Sequence, residues 1–343
     1  MKTAFQKVKK TIRQNPKKWL VTGVAGFIGS NILERLLMLG QHVVGIDNFS
    51  TGSKENLSEV RELVGEKYTK NFQFIEADIR NFSDCETIIS DVDYVLHLAA
   101  LGSVPRSIND PITTNENNVS GFLNMIVAAK DEGVESFTYA SSSSIYGDNF
   151  ALPKVEENIG KPLSPYALTK QANEFYANVF YNTYGFKTIG IRYFNVFGRR
   201  QDPNGPYAAV IPKWTNAMIN NEDLFINGDG KSSRDFTYVD NIVQLNILSA
   251  VTDEKNRNEI INGAMGGRTT LLDLFISIKK ALSENGIHYD KEPVFRDFRE
   301  GDIPHSHADI SKAQNMLGYE VNESFDDAIK KVVPWYIEKF SNK

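Results

Sequence analysis

The chain has 343 residues, of which 41% are hydrophobic and 24% are charged, and its formal net charge is -5. These values are typical of a globular protein and exclude a fibrous or wholly disordered chain. The negative balance provides no overall cationic surface for a phosphate backbone, so we expect no nucleic-acid partner.

Cys85 is the single cysteine of the sequence, which excludes an intrachain disulfide and gives no cysteine metal cluster. We expect it to be a buried thiol in a protein of a reducing, cytoplasmic compartment. No apolar run approaches the roughly 20 residues that span a bilayer, so we expect no membrane partner.

The first 17 residues are rich in lysine, but they lack the apolar stretch of a secretion signal. Ala4, Phe5, Val8 and Ile12 recur at helical spacing. This pattern predicts a short amphipathic helix that packs on the body of the protein.

From residue 19, short β-rich runs alternate with longer helical stretches. Candidate strands are 19–22, 42–47, 72–76, 94–98, 137–140 and 188–193, and candidate helices are 27–39, 121–130 and 167–184. Such alternation predicts an α/β fold with a Rossmann-type, doubly wound parallel sheet covered by helices on both faces.

After residue 199 the pattern is broken by prolines and glycines, which indicates a smaller C-terminal α/β lobe. We assign 1–17 to a helical extension and 18–200 plus about 236–264 to a dinucleotide-binding domain. Residues from about 201–235, together with 265–343, form the expected substrate domain. Ligands of doubly wound sheets bind beyond the carboxyl ends of the strands, where this lobe would cover them.

A glycine-rich segment, residues 22–29, follows the first predicted strand and opens the first long predicted helix. Gly23 permits the tight turn, Gly26 allows the backbone to approach a pyrophosphate, and Gly29 allows close packing of helix and strand. The alternative is a plain strand-turn-helix. The position of the motif favours dinucleotide binding.

The second predicted strand ends at Asp47, about 20 residues after the glycine motif. A carboxylate there can accept hydrogen bonds from the adenosine ribose and would repel a 2′-phosphate, so the predicted cofactor is NAD and not NADP. Asp78 follows the third strand, where it could contact the adenine or cap a helix.

Tyr166 and Lys170 are four residues apart in a predicted helix, so they share one face. The pKa of a free tyrosine is about 10, so a tyrosine that acts as a base near neutral pH needs its pKa lowered, here by the Lys170 ammonium and by the positive nicotinamide. The spacing alone is common, but a run of four serines, Ser141 to Ser144, at the end of the fifth strand strengthens the catalytic interpretation.

Taken together, these motifs resemble the extended short-chain dehydrogenase/reductase family. The similarity includes Leu98-Ala99-Ala100 and the segment 192–195, and it covers essentially the whole chain after residue 18. Within that family the sequence is most similar to UDP-hexose 4-epimerases, particularly those that act on N-acetylated sugars. Homodimers formed through the helices 121–130 and 167–184 are a further implication of the resemblance.

The resemblance implies a catalytic triad of Ser142, Tyr166 and Lys170. Ser142 lies four residues before Tyr146, as the family motif requires, although Ser143 is an alternative. The implied NAD-binding residues are Gly23, Gly26, Phe27, Ile28, Gly29, Asp47, Asn48, Asp78, Ile79, Ala99, Ala100, Tyr166, Lys170 and Tyr193.

The resemblance also implies a site for the nucleotide sugar, with arginines for the two phosphates. The two arginines are Arg234 and Arg299, and guanidinium groups bind phosphate well. Without the resemblance, both would be interpreted as solvated side chains. The implied substrate-binding residues are Ser103, Ser142, Ser143, Tyr166, Asn195, Ala209, Val210, Phe225, Asn227, Arg234, Arg299, Asp302 and Ser306.

Ser306 bears on the choice of sugar. Epimerases of the family that are limited to glucose and galactose have a bulky tyrosine at the corresponding position, and a serine would leave room for an N-acetyl group. His305 and His307 flank it, but two histidines without a carboxylate are weak grounds for a metal, and we expect none.

These residues predict NAD-dependent inversion of carbon 4 of a UDP-N-acetylhexosamine through a transient 4-keto sugar. The alternatives are a UDP-glucose 4-epimerase, a nucleotide-sugar dehydratase or decarboxylase, and an NAD-binding sensor without turnover. Dehydratases and decarboxylases place an acid beside the catalytic hydroxyl, where this chain has Ser143 and Ser144. Sensors commonly lose the tyrosine or lysine, and both are present here.

Overall fold

The structure is a computed structural model that describes residues 2–204, 208–298 and 304–341. Its centre is a parallel sheet of seven strands in the order β3-β2-β1-β4-β5-β6-β11. The strands are β1 (Lys18–Thr22), β2 (His42–Asp47), β3 (Phe72–Glu76), β4 (Tyr94–His97), β5 (Ser136–Ser142), β6 (Thr188–Tyr193) and β11 (Glu259–Gly263).

Six further strands form three short pairs outside the central sheet. They are β7 (Asn195–Phe197) with β10 (Phe236–Tyr238), β8 (Phe225–Asn227) with β13 (Val294–Arg296), and β9 (Ser233–Arg234) with β12 (Thr269–Thr270). They lie in the part of the chain where prolines and glycines interrupt the α/β alternation.

Helices connect the strands and cover both faces of the sheet. Those of the first half are α1 (Ala4–Gln14), α2 (Phe27–Met38), α3 (Lys54–Val64), α4 (Glu66–Thr69), α5 (Phe82–Ile88), α6 (Val104–Asn109), α7 (Pro111–Asn115), α8 (Gly121–Glu132) and α9 (Pro165–Tyr184). Those of the second half are α10 (Val210–Ile219), α11 (Val239–Val251), α12 (Leu271–Glu284), α13 (Ser311–Leu317) and α14 (Phe325–Phe340). In the described part of the chain, no helix combines the length and the apolarity that crossing a bilayer requires.

The Rossmann-type fold predicted from the sequence is confirmed. Strands β2, β3 and β6 have the predicted bounds. Strands β2 and β6 are largely buried, as their apolar runs indicate, whereas β3 lies at one edge of the sheet and is partly exposed. Strand β5 extends to Ser142, beyond the predicted end at residue 140. Ser141 and Ser142 therefore form the carboxyl end of this strand. Strand β11 is not among the predicted strands, because its two isoleucines stand between polar residues and only pairing with β6 makes it a strand.

The predicted N-terminal helix is also present. Thr3 caps α1 through a reciprocal pair of hydrogen bonds with Gln6, and Phe5 and Ile12 are buried. The Gln41 side chain donates to the carbonyl of Ile12 at 2.8 Å, which fastens the end of the helix to the start of β2. The helix is therefore part of the folded body, and Lys7, Lys10 and Arg13 are exposed on its surface.

The strand order reverses between β1 and β4, whose chain connections leave toward opposite faces of the sheet. At such a point the loops after the two strands diverge and leave a crevice. The fold therefore places its main cleft beyond Thr22 and His97, the last residues of the two strands.

Candidate active site

A cleft of about 900 Å³ opens at this point of the sheet. The sequence motifs meet there, since its wall contains most of the residues predicted to bind cofactor or substrate. These are Gly23, Gly26, Phe27, Ile28, Gly29, Asp47, Asn48, Ile79, Ala99, Ala100, Ser142, Ser143, Tyr166, Lys170, Tyr193, Asn195, Arg234 and Ser306.

The glycine turn fits a dinucleotide pyrophosphate. Gly23 has a φ of 69°, and a Cβ atom there would lie 2.9 Å from the amide nitrogen of Ala99. A Cβ on Gly29 would lie 2.1 Å from the carbonyl oxygen of Gly23. Helix α2 begins after Gly26 without a side-chain cap, so its first amides are not used by a capping side chain. Uncapped amides at a helix N-terminus are suited to bind an anion.

Replacing Gly29 by alanine is expected to lower the free energy of unfolding by about 3 kcal/mol, because backbone must move to admit the methyl group. The displaced turn should also reduce the NAD that remains bound after purification. Urea unfolding and chromatographic assay of released NAD measure the two effects. Gly267→Ala is the control, because its Cβ would meet open space. Equal behaviour of both variants would contradict this account of the turn.

Asp47 is buried at the end of β2, where its carboxylate accepts hydrogen bonds from the amides of Ala25 at 3.0 Å and Phe49 at 2.8 Å. Burial raises the pKa of Asp47, and these amides oppose the rise. A Cβ on Gly52 would lie 2.9 Å from either carboxylate oxygen, so glycine lets the following turn fold over Asp47. The carboxylate is thus held beside the glycine turn, as a ribose ligand must be.

Asp78 lies outside the cleft wall, unlike the neighbouring Ile79. Its carboxylate pairs with Arg80 at 2.7 Å and accepts from the side chain of Asn48 at 3.0 Å. The hydrogen bonds from Arg80 lower the pKa of Asp78 to about 2. The helix-cap interpretation of Asp78 is wrong, because Asn81 caps α5. Contact with the adenine stays a prediction.

A buried pair that the sequence analysis did not identify holds the loop after β4. The hydroxyl of Thr22 accepts from the amides of Leu98 and Ala99 at 3.0 Å, so its own proton points to Nδ1 of His97, also 3.0 Å away. Burial and the charge of Lys170 lower the pKa of His97 to about 3. His97 is therefore a neutral imidazole protonated on Nε2, and the pair fixes the Ala99 backbone against Gly23.

Tyr166 and Lys170 lie on one face of α9, as predicted. Lys170 is buried, and its ammonium donates to the carbonyl of Ala140 at 2.9 Å. Burial lowers the pKa of Lys170 to about 8. The pKa of Tyr166 is raised by burial and only partly lowered by a hydrogen bond with Ser142. Lys170 is not among the causes that lower this pKa here, and the expected joint effect of Lys170 and the nicotinamide stays a prediction.

The four serines have different surroundings. Ser142 shares a hydrogen bond with Tyr166 and accepts from the hydroxyl of Ser144 at 2.9 Å. Ser141 also lines the cleft, and its hydroxyl donates to the buried carboxylate of Glu174 at 2.6 Å. Ser143 also lines the cleft. The contact with Tyr166 favours Ser142 over Ser143 as the partner of the phenol.

Helix α9 is held against the sheet by an ion pair that the sequence did not reveal. Glu174 and Arg192 meet at 2.8 Å, with 5% and 3% of their side chains exposed. The guanidinium also donates to the carbonyl of Glu156 at 2.9 Å and lies 5.0 Å from the centre of the Tyr146 ring. Because Glu174 is one helical turn from Lys170, the pair sets the position of the catalytic face.

The far end of the cleft carries Asn195, Arg234 and Ser306. Arg234 donates to the carbonyls of Ser233 at 3.0 Å and Pro304 at 3.1 Å, and the amide of Ser306 donates to Ser233 at 2.9 Å. Strand β9 therefore holds the 304–306 segment in the cleft wall. Burial and the charges of Arg268 and Arg234 lower the pKa of the adjacent His305, which marks this end as cationic.

Some predicted substrate residues lie outside the cleft wall. Ser103 caps α6, next to the wall residues Gly102 and Val104. The Phe225 ring is covered by the guanidinium of Arg296, 3.4 Å from the ring centre. The other residues outside the wall are Asn227 in β8 and, at the start of α10, Ala209 and Val210. Arg299 and Asp302 lie outside the described residues.

No group of three or more histidine, cysteine, aspartate or glutamate side chains that could hold a metal occurs in the described ranges. Cys85 is buried, and its thiol donates to the backbone carbonyl oxygen of Ile79 at 3.4 Å. Burial raises the pKa of Cys85 to about 12, which agrees with the predicted core thiol.

Comparisons with known proteins place this site in a family. Residues 19–264 match the NAD dependent epimerase/dehydratase family. A putative UDP-glucose 4-epimerase from Methanocaldococcus jannaschii is 35% identical over 318 residues, which cover 92% of this chain and 97% of that protein.

Solved structures give the same result. The UDP-N-acetylglucosamine 4-epimerase from Methanobrevibacter ruminantium M1, in complex with UDP-N-acetylmuramic acid, is 41% identical with a TM-score of 0.85, covering 94% of this chain and 99% of that chain. The UDP-glucuronic acid 4-epimerase from Bacillus cereus, in complex with UDP-glucuronic acid and NAD, is 31% identical with a TM-score of 0.84 and the same coverage.

The chain belongs to the NAD dependent epimerase/dehydratase family. Within it, the similarity to UDP-sugar 4-epimerases that the motifs indicated is confirmed by these relatives. NAD is the cofactor, as predicted, and the glycine turn and Asp47 are the residues suited to hold it.

Proposed function

We propose that the protein is a UDP-N-acetylglucosamine 4-epimerase that interconverts UDP-GlcNAc and UDP-GalNAc. The observation that carries the choice of sugar is Ser306, a small side chain in the cleft wall at the substrate end. A relative that is 41% identical bears this name, whereas others are named for UDP-glucose or UDP-glucuronate.

The residues of the chain provide for proton transfer at the 4-hydroxyl. Tyr166 would accept the proton, and Ser142, which contacts the phenol, would hydrogen-bond the reacting oxygen. Lys170 would bind the nicotinamide ribose with the N–H donors that Ala140 does not use. The glycine turn and Asp47 would hold NAD, which would supply reversible hydride transfer at carbon 4. Because burial raises the pKa of Tyr166, proton abstraction depends on additional positive charge in the cleft.

Inversion requires tight binding of the diphosphate and enough space around the sugar for the ring to reorient. Arg234 would hold the diphosphate at the cationic end of the cleft, with Arg299 as its second expected ligand. Small side chains such as Ser143 and Ser306 leave room for the keto sugar to turn over. The bound diphosphate keeps the sugar from leaving while it reorients.

Dehydration and decarboxylation are disfavoured by the composition of the cleft wall. Asp47 is the one carboxylate in the described part of that wall, and it lies at the adenosine end. The positions beside Ser142 carry hydroxyls, which cannot replace the acid that elimination requires. A sensor without turnover is disfavoured because Tyr166, Lys170 and Ser142 all meet in one cleft.

The proposed activity is tested by incubating the purified protein with UDP-GlcNAc, without added cofactor, and separating the products by chromatography. Formation of UDP-GalNAc supports the proposal. A stable keto or unsaturated product would instead indicate one of the rival reactions, and conversion of UDP-glucose alone would refute the N-acetyl preference.

Replacing Ser306 by tyrosine is expected to lower kcat/KM for UDP-GlcNAc at least about tenfold relative to UDP-glucose, because the ring would occupy the space of the acetamido group. Initial rates on both sugars measure the ratio. UDP-glucose is the internal control for damage to the fold. An equal loss on both sugars would remove the basis for the proposed preference.

We also propose that the protein is a homodimer. Helix α9 exposes apolar side chains along one side, with Leu168 57%, Phe175 60% and Val179 51% accessible. An apolar stripe of this kind on a folded surface is typical of an interface. Light scattering during gel filtration tests the proposal, and a monomer at micromolar concentration would refute it.

A further inference from the structure

Asp235 is a buried carboxylate that the proposed reaction does not use. It lies between β9, which ends at Arg234, and β10, and none of its surface is exposed. Its carboxylate forms no ion pair within the part of the chain that the structure describes, whereas the buried Glu174 is paired with Arg192. A buried charge without a partner of opposite charge is costly unless hydrogen bonds stabilise it.

The carboxylate accepts hydrogen bonds from two segments that are distant from it in the chain. The amide of Met265 donates to Oδ1 at 3.1 Å, and the amide of Ala308 donates to Oδ2 at 3.4 Å. The hydroxyl of Thr237 also donates to Oδ1, at 3.4 Å. Burial raises the pKa of Asp235 to about 6, and the two amides oppose this rise. Each carboxylate oxygen therefore holds a different backbone segment.

One of these segments forms the cleft wall at its substrate end. Ser306, two residues before Ala308, lines the cleft together with Arg234. The amide of Ser306 donates to the carbonyl of Ser233 at 2.9 Å, so β9 holds the first part of the segment 304–308. The carboxylate holds the last part of the same segment through the Ala308 amide.

The backbone of Asp235 connects a further residue of the wall. Its carbonyl accepts from the amide of Asn195 at 3.2 Å, where β7 begins to pair with β10. One buried residue therefore connects the elements that carry Asn195, Arg234 and Ser306. Asp47 and the glycine turn lie at the adenosine end of the cleft, so binding of NAD should not depend on these contacts.

We propose that Asp235 is a positioning residue for the nucleotide sugar. Its carboxylate sets the spacing between Arg234, the expected diphosphate ligand, and the segment of Ser306 that lines the sugar pocket. This inference rests on the proposed 4-epimerase function and deepens it, because the reaction needs a diphosphate site and a sugar pocket at a fixed separation. Buried hydrogen bonds behind a site keep its ligand-binding groups in productive geometry.

The test is Asp235→Asn, with kinetics for UDP-GlcNAc at about pH 8, well above the pKa of the wild-type carboxyl group. Asparagine keeps one oxygen for Met265, but its NH2 group cannot accept the hydrogen bond from the amide of Ala308. Loss of this charge-assisted bond is expected to raise KM about tenfold and to leave kcat within about threefold of the wild type. The NAD content of the purified variant should match the wild type.

Binding is measured separately by equilibrium dialysis in a Tyr166→Phe background, where no turnover is needed. Adding Asp235→Asn should lower the affinity for UDP-GlcNAc about tenfold and change the affinity for UDP less than about threefold, because UDP has no sugar to contact the segment 304–308. A merely structural defect would reduce the amount of active protein and leave KM and both affinities of the remaining protein unchanged.

Asp309→Asn is the matched control, because it makes the same substitution near the same segment. The carboxylate of Asp309 also accepts from a backbone amide, that of Ser311 at 2.7 Å, but Asp309 lies outside the cleft wall. This variant should keep the KM for UDP-GlcNAc and the NAD content of the wild type.

An unchanged KM in Asp235→Asn overturns the inference, as does an equal fall in the affinities for UDP and UDP-GlcNAc. If Asp235→Asn does not fold, Asp235→Ser is measured instead, because its shorter side chain cannot reach both Met265 and Ala308, and the same rise in KM is expected. Failure of both variants to fold would show that Asp235 serves the fold itself, which also overturns a role in positioning. Failure of the proposed function has a different signature, since the wild type would not convert UDP-GlcNAc while dialysis would still report the effect of Asp235→Asn.

Discussion

Replacing Tyr166 by phenylalanine is expected to lower kcat by about 10²–10⁴-fold, the usual contribution of a positioned general base. The Tyr166 phenol, on the catalytic face of α9, lines the cleft and shares a hydrogen bond with Ser142. Without its oxygen, the proton of the 4-hydroxyl loses its proposed acceptor. The ring remains, so the packing of the cleft wall should be preserved.

The measurement is the rate of UDP-GlcNAc conversion at saturating substrate, together with the NAD content and the unfolding midpoint of the variant. NAD content and midpoint should match the wild type, which separates a chemical defect from a folding defect. Tyr184→Phe on the same helix is the control, because Tyr184 is exposed and lies outside the cleft wall. Retention of more than a tenth of the wild-type rate in Tyr166→Phe would refute the assigned role.

Glu174→Gln is expected to lower the free energy of unfolding by about 3–5 kcal/mol, the usual cost of removing one partner from a buried ion pair. Arg192 would remain with its charge in the interior, bonded to the carbonyl of Glu156 but without a carboxylate. Ser141 would also lose its strongest acceptor. Urea unfolding followed by circular dichroism measures the loss.

Two controls separate burial from charge in this experiment. The pair Lys187 and Glu254 has the same type of contact at 2.9 Å, but 76% of the Glu254 side chain is exposed, so Glu254→Gln should leave the unfolding curve nearly unchanged. Adding Arg192→Met to Glu174→Gln removes the stranded charge and should recover part of the loss. A double variant less stable than Glu174→Gln would contradict the explanation.

The pair also links stability to catalysis, since α9 carries both Glu174 and the catalytic face. If the pair fixes the helix, Glu174→Gln should lower kcat more than it raises KM for UDP-GlcNAc. A purely structural effect would reduce the amount of active protein and leave KM unchanged.

The local patterns of the chain were enough to predict the doubly wound fold, the NAD site and the residues of the catalytic face. The glycines of 23–29, Asp47 at a strand end and Tyr166 with Lys170 all depend on spacing within one turn, strand or helix. Sterics and helical period fix such relations regardless of distant contacts. The parallel sheet then brings their strand ends together at one edge.

Tertiary structure alone decided the interactions between distant segments. Thr22 meets His97 and Lys154 is bonded to His307, in both cases from elements far apart in the chain, and Glu174 meets Arg192 across two successive elements. The same contacts decide the electrostatics, since burial raises the pKa of Tyr166 although Lys170 lies one turn away. Sequence spacing specifies which side chains can share a face, but their protonation and partners depend on how much water the folded neighbours exclude.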